Sequence, residues 1–127
     1  MQDVPTPDQL LAAVAQFLRE QAMPQLQGQA AFHARVAANA LDIVRRQLAL
    51  APAAEAAEAQ RLSDLLQADG SLAELNALLC ARIASGAMGL HTPALIAHLW
   101  RTTLDKLAVD QPGYASVRRH APPTPGA

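Results

Sequence analysis

Aromatic side chains make up only 3% of this chain, too few to build the stacking platforms on which single-stranded nucleic acids lie. Charge of one sign is lacking as well. Ten basic residues are interspersed with eleven acidic ones, for a formal net charge of −1, so no concentrated basic face is available to neutralise phosphates. Nucleic acid is therefore not an expected partner. Cysteine occurs once, as Cys80, which excludes an internal disulfide. No apolar run approaches the roughly 18 residues that a membrane span needs. The N-terminal MQDVPTPD has no basic segment leading into an apolar one, so no signal peptide is read. These absences predict a cytoplasmic protein with no membrane association. Alternation of apolar and polar residues with period two is also missing, which argues against any sheet.

What the chain does have is helix-forming sequence. Of its 127 residues 51% are hydrophobic and 17% charged, with alanine abundant, a length and composition suited to one core. Thr6-Pro7-Asp8-Gln9 predicts a helix start: Thr6 caps, Pro7 suits the first position, and Gln9 reaches back to complete a capping box. Leu10, Leu11, Val14, Phe17 and Leu18 then share one face, with Asp8, Gln16, Arg19 and Glu20 opposite. Met23-Pro24 ends this helix, because the residue before proline disfavours helical geometry. A second helix is expected from about residue 29 to 49. Pro52 is expected to begin a third, with Ala59, Leu62, Leu65 and Leu66 inward, stopping at Asp69-Gly70. Ser71 and Glu74 form another capping box, for a fourth helix with Leu72, Leu75, Leu79 and Ile83 inward and Gly86 as its stop. Thr92-Pro93 repeats the cap-then-proline device for a fifth, to about Val109, with Leu95, Ile96, Leu99, Trp100, Leu104 and Leu107 as its apolar arc. Loops of a few residues favour antiparallel neighbours. The expected architecture is an all-α, single-domain bundle of about five antiparallel helices over 1–114. A tail over 115–127, ending APPTPGA, is expected to be extended or disordered.

Sites for chemistry are scarce. His33, His91, His98 and His120 include no pair three or four residues apart, and there is no His-Glu-x-x-His, so no metal site is expected. His98 falls on the side of its helix read as exposed, with Arg101 and Asp105. Cys80 lies at the edge of an apolar stripe, where cysteine behaves as a small hydrophobe, and Arg82 is not on its side to activate a thiolate. The stretch SGAMG at 85–89 lacks the lysine and the preceding strand of a phosphate loop, and no nucleophile elbow occurs. Glu55 and Glu58 sit in a first turn, where acids complement the helix dipole. His33 has no orienting carboxylate in sequence. The chain reads as a protein without catalytic residues or cofactor.

The densest stretch is FHARVAANALDIVRR, residues 32–46. At roughly 100° per residue, Phe32, Val36, Ile43 and Leu50 line one apolar face, and Leu41, Val44 and Leu48 another, which marks this helix as central. Arg45 reads as solvated. Arg35, Asn39, Asp42 and Arg46 form a polar ribbon bordering the first face. A buried asparagine without partners costs on the order of 1–3 kcal/mol, so something must satisfy Asn39. On the fifth helix Lys106 edges an apolar arc and Asp110 lies one turn on. The expectation is that Arg35, Asn39 and Asp42 meet Lys106 or Asp110 across a helix–helix seam. The ribbon then either fixes helix register or forms the polar end of a small pocket.

FHARVAANALDIVRR, the opening MQDVPTPDQLLAAVAQFL and TTLDKLAVDQPGY at 102–114 together resemble an uncharacterised bacterial family of short helical domains. Members are often encoded beside or fused to aminoglycoside-phosphotransferase-like kinases and near acyl-CoA dehydrogenases. The resemblance spans nearly the whole chain and supplies no catalytic residues. It implies a role by association: a subunit or accessory to a neighbouring kinase-like or acyl-CoA enzyme. With no catalytic constellation in the chain, the leading reading is a non-enzymatic interaction module, a homodimer or a partner for such an enzyme. The other reading is a bundle that binds an acyl or other largely apolar metabolite between its helices.

Overall fold

The computed structural model describes residues 4–115 and 119. All regular structure among them is helical, with no strand. Among the described residues four α-helices are delimited rather than about five: α1 (Pro7–Phe17), α2 (Gly28–Leu66), α3 (Leu72–Ala84) and α4 (Leu95–Asp110). Apart from Ala115 and Arg119, the segment read as a tail lies outside the described residues, as does His120. Among the described residues no helix is long and apolar enough to cross a membrane.

The missing fifth helix is a fusion. Pro52 does not open a helix but lies inside α2, which is 39 residues long. The proline removes one donor, the one that would meet the Leu48 carbonyl, and its ring crowds that carbonyl, at a cost of about 3 kcal/mol. Alanines at 49, 51, 53 and 54, the strongest helix formers, carry the helix through.

By contacts the chain forms two compact units, Met1–Ala51 and Pro52–Ala127. In the first, α1 starts as the sequence predicts. The Thr6 amide donates to Gln9 Oε1 at 2.8 Å and the Gln9 amide to Thr6 Oγ1 at 3.3 Å. Beyond Phe17 the chain widens into a π-helical turn, Leu18–Ala22, and then tightens into a 3-10 turn, Met23–Gln25, that contains Pro24. Among the described residues of this unit, only Ala15, Ala34 and Ala38 are buried. The large side chains expected to fill its core stay outside: Leu10, Val14 and Phe17 on α1, and Phe32, Val36, Ile43, Val44, Leu48 and Leu50 on α2, are all exposed.

The second unit has a conventional core. Leu62 and Leu66 of α2, Leu75 and Leu79 of α3, Met88 of the following loop and Leu95 of α4 form one buried cluster. Each fully buried leucine contributes about 1.5–3 kcal/mol. The Ser71–Glu74 capping box starts α3 as predicted. Gly86 follows its last turn with φ +78°, a left-handed conformation that favours glycine. Asn76 Nδ2 donates to Glu58 Oε1 at 3.2 Å, and Arg82 Nη1 to the Leu66 carbonyl at the end of α2 at 3.1 Å. Ile83, read as inward, is exposed.

The fifth-helix expectation needs two corrections. Thr92 does not cap: its hydroxyl accepts from the Gly89 amide at 2.9 Å, and α4 starts later, behind Ala94, with no side-chain cap. The helix is also rotated from the expected arc. Ile96, Leu99 and Trp100 are exposed, while the inward line is Leu95, His98, Thr102, Asp105 and Val109. Hydrophobicity alone misplaced the face: among the polar residues on the inward line, Asp105 lies in charge contact with Arg61 of α2.

Candidate functional site

In the first unit, charged residues tie α1 to α2. Arg19, in the π-helical turn, donates from Nη2 to Asp42 Oδ2 at 2.6 Å and to Asn39 Oδ1 at 3.2 Å. Arg45 places its Nε–Nη2 edge on the Asp8 carboxylate, at 2.7 and 3.2 Å, a bidentate arrangement of the strong kind. Its Nη1 also lies 3.8 Å from Asp42 Oδ1. The start of α1 is thus held at residue 45 and its far end at residues 39 and 42. The Arg19 guanidinium holds the Asp42 carboxyl below the usual carboxylate range, and Arg45 does the same for Asp8.

The polar ribbon therefore divides. Asn39 and Asp42 have partners inside their own unit, supplied by Arg19. The sequence reading set Arg19 and Asp8 on the outer face of the first helix and Arg45 in solvent; all three belong to this network. Asp8 and Arg19 share one side of α1 and the turn that follows it with the buried Ala15, and it is this side, not the apolar stripe, that meets α2. Arg35 is exposed and has no ion-pair partner among the described residues, and Arg46 is half-buried. Lys106 and Asp110 are exposed on α4, in the second unit. His33 is exposed and packs edge-on against Phe32, ring centres 5.7 Å apart.

The second unit holds a cavity of about 570 Å³, within the range of small-molecule sites. Arg61, Asp64 and Leu65 of α2 form one wall; Pro93, Ala94, Ala97, His98 and Arg101 form the other, at the start of α4. Contrary to the sequence reading, His98 is buried, at 4% exposure. Its Nδ1 is closed to solvent without a hydrogen-bond partner, and so are Arg61 Nε, Arg61 Nη2 and Thr102 Oγ1. Buried polar atoms in native folds are nearly always paired, so such a cluster asks for an explanation. Asp105 Oδ2 lies 3.6 Å from Arg61 Nη2, close enough for charge attraction and too far for a hydrogen bond. The Asp105 carboxylate is engaged by Arg101, whose Nε is 3.1 Å from Oδ1. Burial and the neighbouring Arg61 charge push the His98 imidazole below its ordinary value of 6.5, against a smaller opposing pull from Glu58. His98 is thus a neutral imidazole at neutral pH.

Two backbone features belong to the same cavity. Ala94 has φ +64°, a left-handed conformation that costs a residue with a β-carbon about 1–2 kcal/mol. The helix behind it lacks the side-chain cap that α1 and α3 both have. An uncapped helix N-terminus carries partial positive charge. No histidine–acid pair in sequence announced this site. Its one signal is the i, i+3, i+7 line His98, Arg101, Asp105, which hydrophobic patterning assigns to solvent.

Among the described residues no group of three His, Cys, Asp or Glu side chains is placed to hold a metal ion. Comparison with curated proteins and with solved structures gives no match. The family description "Domain of unknown function (DUF6285)" matches residues 24–114. That span takes in most of the chain, including the cavity residues and the whole of α2, and leaves out α1. The chain belongs to the DUF6285 family, a domain of unknown function.

Proposed function

We propose that this chain is a non-enzymatic interaction module of bacterial cytoplasm that docks on a partner protein through the outer faces of its first unit. One observation carries the reading. That unit buries three alanines, while Phe17 and Phe32, each 58% exposed, head a set of large apolar side chains that face outward. Large exposed apolar patches mark interaction surfaces. The family resemblance points to a phosphotransferase-like kinase or an acyl-CoA enzyme as the partner, with a second copy of the chain as the occupant when the enzyme is absent. The Arg19–Asp42 and Arg45–Asp8 pairs set how α1 lies on α2, and leave the outward apolar faces uncovered.

The test is a pull-down of the proteins encoded next to this one, with the wild-type chain and Val36→Asp as baits. Val36 is 48% exposed, so the variant is expected to keep the fold, which its circular dichroism checks. The wild type is expected to retain a kinase-like or acyl-CoA enzyme and the variant to lose it. Equal retention by both baits, or retention by neither from a chain that stays monomeric, refutes the reading.

A second reading, a small-molecule-binding protein, has the cavity beside His98 in its favour. It is compatible with the first, because the cavity lies wholly in the second unit.

A further inference from the structure

The cavity's wall has the chemistry of a particular ligand class. Its apolar part is Leu65, Pro93, Ala94 and Ala97, and its charged part is Arg61 and Arg101 with one acid, Asp64. These two guanidiniums share one carboxylate, that of Asp105. The other acid at the rim, Asp64, accepts from Gln60 Nε2 at 2.9 Å, and Glu58 accepts from Asn76. Arg61 leaves its Nε–Nη2 edge without a hydrogen bond. Arg45 uses the same edge to grip the Asp8 carboxylate, so the chain itself shows what such an edge binds. The uncapped start of α4 faces the same space and adds positive potential where a negative head group would sit. His98, buried, completes the wall at the start of α4.

We infer that this cavity binds a small organic carboxylate with an apolar body, its head group held by Arg61 and Arg101 at the N-terminus of α4 and its body against Leu65, Pro93 and Ala97. The inference rests on the small-molecule reading and names its ligand class. Arg61 reaches the head group by rotating away from its 3.6 Å contact with Asp105, a contact that no hydrogen bond secures. Arg101 lies at the mouth, with a side chain 56% exposed.

The experiment is an NMR titration of the full chain, with octanoate as the carboxylate probe, octanol as its uncharged counterpart and inorganic phosphate as a head group without a body. Octanoate is expected to shift the amides of Ala94, Ala97 and His98 saturably, and octanol and phosphate to bind at least tenfold more weakly. Arg101→Gln should weaken octanoate roughly tenfold, the scale of a lost hydrogen bond to a charged group, and leave octanol unchanged. Arg61→Gln should act in the same direction, but Arg101→Gln is decisive because an exposed side chain can be changed without unfolding the core. Octanol binding as tightly as octanoate would leave the pocket standing and overturn the carboxylate assignment. Phosphate binding as tightly would overturn the apolar body, and no saturable shift with any probe would overturn both the inference and the small-molecule reading.

Discussion

Replacing His98 by leucine should stabilise this protein at neutral pH and remove a pH dependence from it. The imidazole is 4% exposed and its Nδ1 has no hydrogen-bond partner. An unsatisfied buried polar atom costs about 1–3 kcal/mol. Leucine removes that atom while keeping comparable apolar volume beside Leu95, so about 1 kcal/mol of net gain is expected after small packing losses. The pH effect has a definite sign. The folded imidazole titrates below 6.5 because of burial and Arg61, so as pH falls past 6.5 the unfolded chain takes up the proton first. Stability is therefore fully present above pH 6.5 and declines as pH drops through the folded value. His98→Leu has no such proton to take up. Urea unfolding at pH 8, 6.5 and 5 measures both effects: the wild type should lose stability faster than the variant over the lower interval. A variant weaker than wild type by about 2 kcal/mol or more at pH 8, the scale of a damaged core, would refute the reasoning. So would an unchanged difference between pH 8 and pH 5. If the cavity is a binding site, the same variant gives up ligand contact for stability, a familiar exchange at functional positions.

Asp42→Ala should lower stability by about 1 kcal/mol, read as a drop in the thermal midpoint. Its pair with Arg19 is only partly shielded, with side chains 27% and 40% exposed, and exposed ion pairs contribute little more than that. Because Arg19 holds the Asp42 carboxyl below 3.8, the contribution is present above that value and is lost as pH falls through the lowered one. An acid titration of wild type against Asp42→Ala should show the two converging there. A gap that persists at the acid end, or an unchanged midpoint at neutral pH, would remove the pair from the forces that hold α1 to α2.

Local signals in this sequence were legible because their causes are local. Thr6 with Gln9, and Ser71 with Glu74, close hydrogen bonds across three residues, and Gly86 needs only its own φ. The stripes Leu62/Leu66 and Leu75/Leu79 were legible because they are apolar on a regular helix. Pro52 misled for the converse reason: a local start signal was overruled by alanines on both sides. Arg19 was unreadable because its partners Asn39 and Asp42 lie on another helix, and the apolar stripe of α1 drew the inward face to the wrong side. His98 was hidden because it is buried where α4 packs against Arg61, Asp64 and Leu65 of α2, a packing that no window of α4 contains. The first unit inverted the ordinary rule. Its apolar stripes were correctly periodic, but periodicity says which side chains share a face and not whether that face is inside.

The most direct test of the account is urea unfolding of the dilute, unassociated chain, comparing Phe32→Ser/Val36→Ser with Leu62→Ala. Leu62 is fully buried, and its truncation should cost about 3 kcal/mol. If the outward faces of the first unit are a docking surface, the double variant should change stability by about 1 kcal/mol or less. A loss of about 3 kcal/mol or more from the double variant would mean that Phe32 and Val36 are core residues of the free chain, and would contradict the account.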